Sequence, residues 1–272
     1  MWTPSSISFV TMARQIVNNL KFKKSLGSFD AKIFSSMLDD AYVSGRKQNQ
    51  KMTKNSFSPS SFGYGHGNCP RYWYMAFSGA MFIDNNDSIA IANMSQGTQA
   101  HERLQKIISK TGVLKHEEFE IINEYPPIRG FIDLIIDWNN EEIIGEIKTA
   151  KQEIWDTRQA DMSPSHNHLL QLLTYMKLKN AKEGFLMYEN KNTQEILIIP
   201  VLMNEKNKAI INGLFVWLQE VHDNFTSGDL PMRPYKKSSS ACKSCPIKKD
   251  CWEADTGTVQ IEAYNVDKND LF

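Results

Sequence analysis

The stretch "RGFIDLIIDWNNEEIIGEIKTAK", residues 129–151, constrains the chain more than any other. Two Ile-rich segments flank Asn139-Asn140, a residue pair that tolerates the left-handed backbone of a tight hairpin turn. Those segments carry Asp133, Glu146 and Lys148 among apolar neighbours. Charges in such surroundings are costly unless something pairs them. Glu146 and Lys148 are two residues apart and project from the same face of a strand. Asp133 lies on the partner strand, where a hairpin brings it beside them. Two carboxylates on one face suit a hard divalent cation with oxygen ligands. An adjacent lysine suits an attacking water or charge on a phosphate. These are the parts needed for metal-assisted phosphodiester hydrolysis.

The rest of the chain supplies a frame for that hairpin. Strands are expected over 117–123, 129–137 and 142–149. The segment "SQGTQAHERLQKIISKTG" reads as a helix with Leu104, Ile107 and Ile108 on one face and Gly112 as its stop. Residues 164–180 form another, with Leu169, Leu172, Leu173 and Met176 as the inner stripe. Two more strands, "GFLMYEN" and "EILIIPVLM", precede a long helix capped by Asn204, with Ile210, Ile211, Leu214, Trp217, Leu218 and Val221 buried. Residues 1 to about 55 read as helical, with a stripe from Ile33 to Tyr42, followed by a polar loop "SGRKQNQKMTKN". The order predicts an α/β fold with a central mixed sheet flanked by helices.

The 272 residues suffice for one large domain. Lys plus Arg and Asp plus Glu are both 31, so a protein that coats nucleic acid non-specifically is not expected, whereas a local basic groove is compatible. No apolar run approaches the roughly 20 residues that span a bilayer. The start lacks the pattern of a secretory signal, so a cytoplasmic protein with no membrane partner is expected. In that compartment the four cysteines are not expected to form disulfides. Cys69 stands alone, and Cys242, Cys245 and Cys251 form C-x2-C-x5-C. Four thiolates suit zinc or a 4Fe–4S cluster. A zinc ribbon pairs two C-x2-C knuckles and this chain has one, so the one-plus-three arrangement favours the cluster. Ligation by Cys69 and the later three would close a loop around the whole core, a structural clip that needs no redox role.

Basic and aromatic residues beside the cysteines form a candidate DNA track: Arg71, Tyr72, Trp73 and Tyr74, then Lys236, Lys237, Lys243, Lys248 and Lys249. Trp73 reads equally as a core residue. The ending "KNDLF" is an acidic, apolar-tipped tail that reads either as a frayed terminus or as a docking peptide for a replisome or recombination partner.

E-x-K by itself is a frequent pattern, and specificity comes from order. The succession G-x3-His101, Gly130-x2-Asp133, Glu146-Ile147-Lys148 and Gln171-x3-Tyr175 resembles the RecB-like branch of the PD-(D/E)XK nucleases. The flanking "NCPRYWYM" and "CKSCPIKKDC" are similar to its iron–sulfur subgroup, which includes CRISPR-associated exonucleases. The resemblance implies a restriction-endonuclease-like core over 58–251, a helical segment over 1–57, an acidic tail over 252–272, and a cysteine-ligated cluster joining the two ends of the core. It implies that His101, Asp133, Glu146 and the Ile147 carbonyl bind Mg²⁺ or Mn²⁺. Asp133, Glu146 and Lys148 would carry catalysis, and Gln171 with Tyr175 would line the DNA path. The implied activity is a metal-dependent DNA exonuclease in recombination, repair or phage DNA processing. A CRISPR spacer-trimming subunit and a catalytically silent DNA-binding scaffold are the alternatives. No helicase phosphate loop accompanies these motifs.

Overall fold

The structure, a computed structural model, describes residues 29–44 and 49–265. The expectations for residues 1–28 and for the tail "KNDLF" lie outside the described residues. Residues 1–45 and 46–272 form two units. The first contains helix α1, Ala31–Val43, started by the Asp30 carboxylate, which accepts from the backbone N–H groups of Lys32 and Ile33. None of its residues is buried.

The second unit is built on a five-stranded sheet, β3 Leu114–Asn123, β4 Ile128–Trp138, β5 Glu141–Ala150, β6 Glu183–Asn190 and β7 Ile196–Leu202, in that spatial order. All neighbours are antiparallel except β5 and β6, so the sheet is mixed, as expected. Asn139 and Asn140 make the β4–β5 turn with φ of 54° and 65°, the left-handed conformation that asparagine tolerates. A parallel β5–β6 pair needs a crossover, which α4 Gln152–Asp161 and α5 His166–Lys179 provide. Helix α4 was not expected. Trp155 is its one buried residue, too little apolar periodicity to signal a helix.

A small antiparallel pair, β1 Asn49–Lys51 and β2 Met81–Ile83, replaces part of the expected polar loop. Its partners are distant in sequence, and no alternating pattern marks so short and polar a strand. Between them lies α2, Pro70–Phe77, entered through a proline at its first position, where the missing N–H costs nothing. Helix α3, Ser88–Ile108, is capped by Asp87 and begins earlier than its apolar stripe suggests. Gly112 ends the segment with φ of 80°. The long helix α6, Glu205–Ser227, is capped by Asn204 and buries all six of the expected apolar residues. Short helices α7 Ser240–Lys243 and α8 Lys248–Glu253 carry Cys242 and Cys251, with Cys245 between them.

Two cores sandwich the sheet. On one face α5 and α6 bury Ile132, Ile135, Ile144, Leu173 and Leu214 with the aromatic cluster of α2. On the other, α3 sets Leu104 against Leu134, Ile147, Phe185 and Met187. Among the described residues, no helix is long and apolar enough to cross a membrane.

Candidate active site and cysteine centre

The site begins with a fault in the sheet. A regular strand puts residues i and i+2 on the same face, yet Ile132 packs in one core and Leu134 in the other. Strand β4 therefore slips phase at Asp133. Pairing agrees: β3 and β4 match at Glu117↔Leu134 and Phe119↔Ile132, leaving Glu118 and Asp133 opposite each other outside the ladder. The β4–β5 ladder likewise runs only as far as Leu134↔Gly145. Glu118 has φ of 47°, uncommon for a residue with a side chain. Irregularities of this kind re-aim side chains beside functional sites.

At the fault, the Asp133 carboxylate accepts from the Ile147 N–H at 2.7 Å and lies 3.6 Å from His101 Nδ1. His101 and Gln105 are one turn apart on α3 and share a face. Gln105 Nε2 donates to Glu118 Oε1 at 2.8 Å and to the Asp133 carbonyl at 3.2 Å. The result is that ligand atoms of His101, Glu118 and Asp133 all lie within 4.8 Å of one another.

Glu146, 1% exposed, sits beside this trio. Its Oε1 accepts from Lys148 Nζ at 2.6 Å and from Gln171 Nε2 at 2.7 Å, while Oε2 is buried without a hydrogen-bond partner. Burial, opposed by Lys148 and reinforced by the Asp133 charge, pushes its carboxyl up to about 8. Burial alone would lower the pKa of the Lys148 ammonium, but Glu146 and Asp133 outweigh it and the pKa is raised. Gln171 also reaches the Tyr175 hydroxyl at 3.4 Å. That hydroxyl lies over Gly130, where an added Cβ would come within 2.8 Å of it and 3.2 Å of Pro59. The glycine of the G-x2-D motif is thus the space that Tyr175 occupies. Beside Lys148 on β6, the Tyr188 hydroxyl accepts from the Ser165 N–H at 3.1 Å and meets His168 Nδ1 at 2.9 Å. Burial, then Lys148 and Arg158, lower the pKa of His168 to about 3.

His101, Asp133, Glu146, Ile147, Lys148, Gln171 and Tyr175, singled out in the sequence, are therefore gathered at one place. Ile147 makes its visible contact through its N–H. Glu118 and Gln105 join them without having been expected. One signal was present: in "KHEEFE" two adjacent acids, Glu117 and Glu118, interrupt strand alternation.

The four cysteines, all free thiols, line one small cavity with Tyr72, Tyr235 and Trp252. Burial and neighbouring thiols push Cys69 and Cys245 up to about 12. The trio at Asp133 is the one group of close metal-ligating atoms among the described residues. Arg71 is wholly buried and donates to the carbonyls of Pro231 at 2.6 Å and Thr256 at 2.9 Å, and to those of Cys251 and Asp255. Arg233 adds bonds to the Cys251 and Ala254 carbonyls. Arg71, Tyr72 and Trp73 consequently do not form part of a DNA track. Tyr72 and Trp73 are core residues, and Arg71 ties the C-terminal segment down through its two terminal nitrogens, while its Nε is buried without a partner.

A family model described as the PD-(D/E)XK nuclease superfamily matches residues 109–252, just over half of the chain. Among solved structures, the protein SSO0001 is similar at 17% identity, over 79% of this chain and 92% of its own, with a TM-score of 0.41. An alkaline exonuclease from Laribacter hongkongensis is similar at 14% identity, over 63% and 90%, with a TM-score of 0.48. A phage-related exonuclease from Haemophilus somnus follows at 14%, over 49% and 72%, with a TM-score of 0.35. No curated protein matches in sequence.

Proposed function

The chain belongs to the PD-(D/E)XK nuclease superfamily, and from that premise we propose that it is a metal-dependent DNA exonuclease of the RecB-like, iron–sulfur type. The observation that carries the metal is the orphaned Glu146 Oε2, buried beside three converging ligand atoms of His101, Glu118 and Asp133. A buried carboxylate oxygen without a donor is costly. The donor set, three carboxylates and an imidazole, suits Mg²⁺ or Mn²⁺. A divalent cation held there would supply Lewis acidity toward a phosphate oxygen and toward water.

The chain's own residues divide the remaining work. Lys148, kept charged by Glu146 and Asp133, holds a proton and a positive charge where a phosphate would sit. Gln171 fixes Glu146 Oε1 and leaves Oε2 free to bind the cation. Tyr175, locked over Gly130, shapes the path that leads to them.

Four cysteines that line one cavity suit a 4Fe–4S cluster or a zinc ion, and the one-plus-three spacing with a single C-x2-C knuckle favours the cluster. The proposed cellular setting is recombination, repair or phage DNA processing.

The test is digestion of end-labelled single-stranded DNA with Mg²⁺ or Mn²⁺ by anaerobically purified protein, alongside Lys148→Ala and Glu146→Ala. Metal-dependent degradation that both substitutions abolish is expected, with iron and acid-labile sulfide at a cluster's stoichiometry. A wild-type protein that carries the cluster and leaves single and double strands intact would refute the reading.

A further inference from the structure

Next to the catalytic residues the surface opens into a cleft of about 510 Å³, within the size range of ligand sites. One wall is Arg129, Gly130, Phe131, Gln171 and Tyr175; the other comes from the segment 53–60. This second wall contains none of the motifs and yet is held rigidly. The Phe57 N–H donates to the Pro127 carbonyl at 2.7 Å, and the Phe57 carbonyl accepts from the Arg129 N–H at 3.1 Å. The Phe57 ring, fully buried, packs edge-on against Trp73 and Phe77. An extended segment anchored by one buried ring turns its neighbours the other way, and Ser56 and Ser58 line the cleft.

Lys54 also lines it and has no obvious structural duty. Its ammonium donates to Ser58 Oγ at 3.3 Å and lies 5.9 Å from the Trp73 ring centre. Among the described residues no carboxylate pairs with it. Burial lowers its pKa, the mark of a partly desolvated cation without a counter-ion. Phe131, which lines the same cleft, is 46% exposed although it lies on an inner strand two residues before Asp133. Arg129 also lines the cleft but is paired with Glu120 at 2.6 Å, so Lys54 is the cleft's unpaired cation. With hydroxyls beside it and an exposed ring in the same cleft, it matches what a single polynucleotide strand needs, a phosphate contact and a stacking surface.

We propose that this cleft holds one strand of the substrate next to the reacting phosphate, with Lys54 on a backbone phosphate and Phe131 stacked on a base. The inference rests on the nuclease reading and goes beyond it, because it makes a single strand the species that enters the site. Neither contact reads a base edge, so binding is independent of sequence.

The test is fluorescence anisotropy of a labelled oligo(dT) with Mg²⁺ in the Lys148→Ala background, where the strand is bound and not cut. Lys54→Ala is expected to weaken binding and to flatten the slope of log K against log salt by about 0.7, one phosphate contact on a single strand. Lys54→Arg restores both. Phe131→Ala is expected to weaken binding about tenfold with the salt slope unchanged, and Phe131→Tyr to keep it. Thermal melting of each variant identifies any that do not fold, and for those Lys54→Gln and Phe131→Leu, which keep the length and the apolar bulk, carry the same expectations as the alanine variants. Lys54→Ala and Phe131→Ala proteins that fold and bind as tightly as the parent, with the same slope, would overturn the proposal. Failure of the nuclease reading looks different: wild-type protein neither binds nor cuts DNA, which overturns both.

Discussion

The Asp133–Glu146 centre and the cysteine centre both bury ionisable groups, but they differ in how much the protein does for those groups. At the first, nearly every polar atom has a protein partner. Lys148 and Gln171 hold one Glu146 oxygen, Ile147 holds Asp133, and Gln105 holds Glu118. At the second, the thiols of Cys69 and Cys245 are pushed up to about 12 and stay protonated. The chain around them is fastened through the carbonyls that Arg71 and Arg233 bind. Side chains already held in place can accept a cation without refolding, with Glu146, pushed up to about 8, giving up its proton on binding. Cys69 and Cys245 must give up theirs without such side-chain partners.

The largest expected effect separates the two directly. Lys148→Ala should lower the cleavage rate about 10²–10⁴-fold, with iron content and visible absorbance unchanged. Loss of absorbance in that variant would show that the two centres are not independent. Next in size is Arg71→Met, which leaves several buried carbonyls without donors. A loss of about 3–5 kcal/mol in urea unfolding is expected. A loss below about 1 kcal/mol would mean that Arg71 does not fasten the segment.

Acid sharpens the contrast. His168 has a folded pKa of about 3 against an ordinary value of 6.5. Its lowered value means that the unfolded chain binds the proton first, so its stability contribution is full above about 6.5 and falls as pH drops toward 3. The His168 share of the change from pH 8 to pH 5 is a loss of about 2 kcal/mol, opposed by Glu146, whose carboxyl, pushed up to about 8, gains stability over the same range. That share is read as the difference in pH dependence between the parent and His168→Asn. The thiols, raised rather than lowered, stay protonated over that range in folded and unfolded chains alike and add nothing to it. The smallest effect concerns Glu118→Gln, expected to weaken Mn²⁺ binding about tenfold in calorimetry. An unchanged affinity would remove Glu118 from the cation site.

Much of this was legible because it depends on local pattern. The β4–β5 hairpin with its Asn-Asn turn, the Asn204 cap and the buried stripe of α6 follow from short-range chemistry, and the structure has them where the pattern put them. Gln171 and Tyr175 share a helix face in the sequence and in the fold. Glu118 was not legible, since its place opposite Asp133 comes from a phase slip that no alternation rule predicts. Arg71 misled for a related reason. Beside aromatics it looks like a nucleic-acid contact, and only the arrival of residues 231–256 makes it a buried tie. Helix α4 carried one buried residue and so no periodic signal.

The sequence by itself determined the mixed α/β frame, the pairing of Asp133 with Glu146 and Lys148 on adjacent strands, and the two groups of cysteines. Those rest on hydrophobic period, turn chemistry and spacing, all written within a few residues. The tertiary structure decided which oxygen of Glu146 stays free, that Glu118 completes the trio, and that residues 53–60 form a wall beside the site. These depend on contacts between segments far apart in the chain, where packing geometry rather than local preference sets each position.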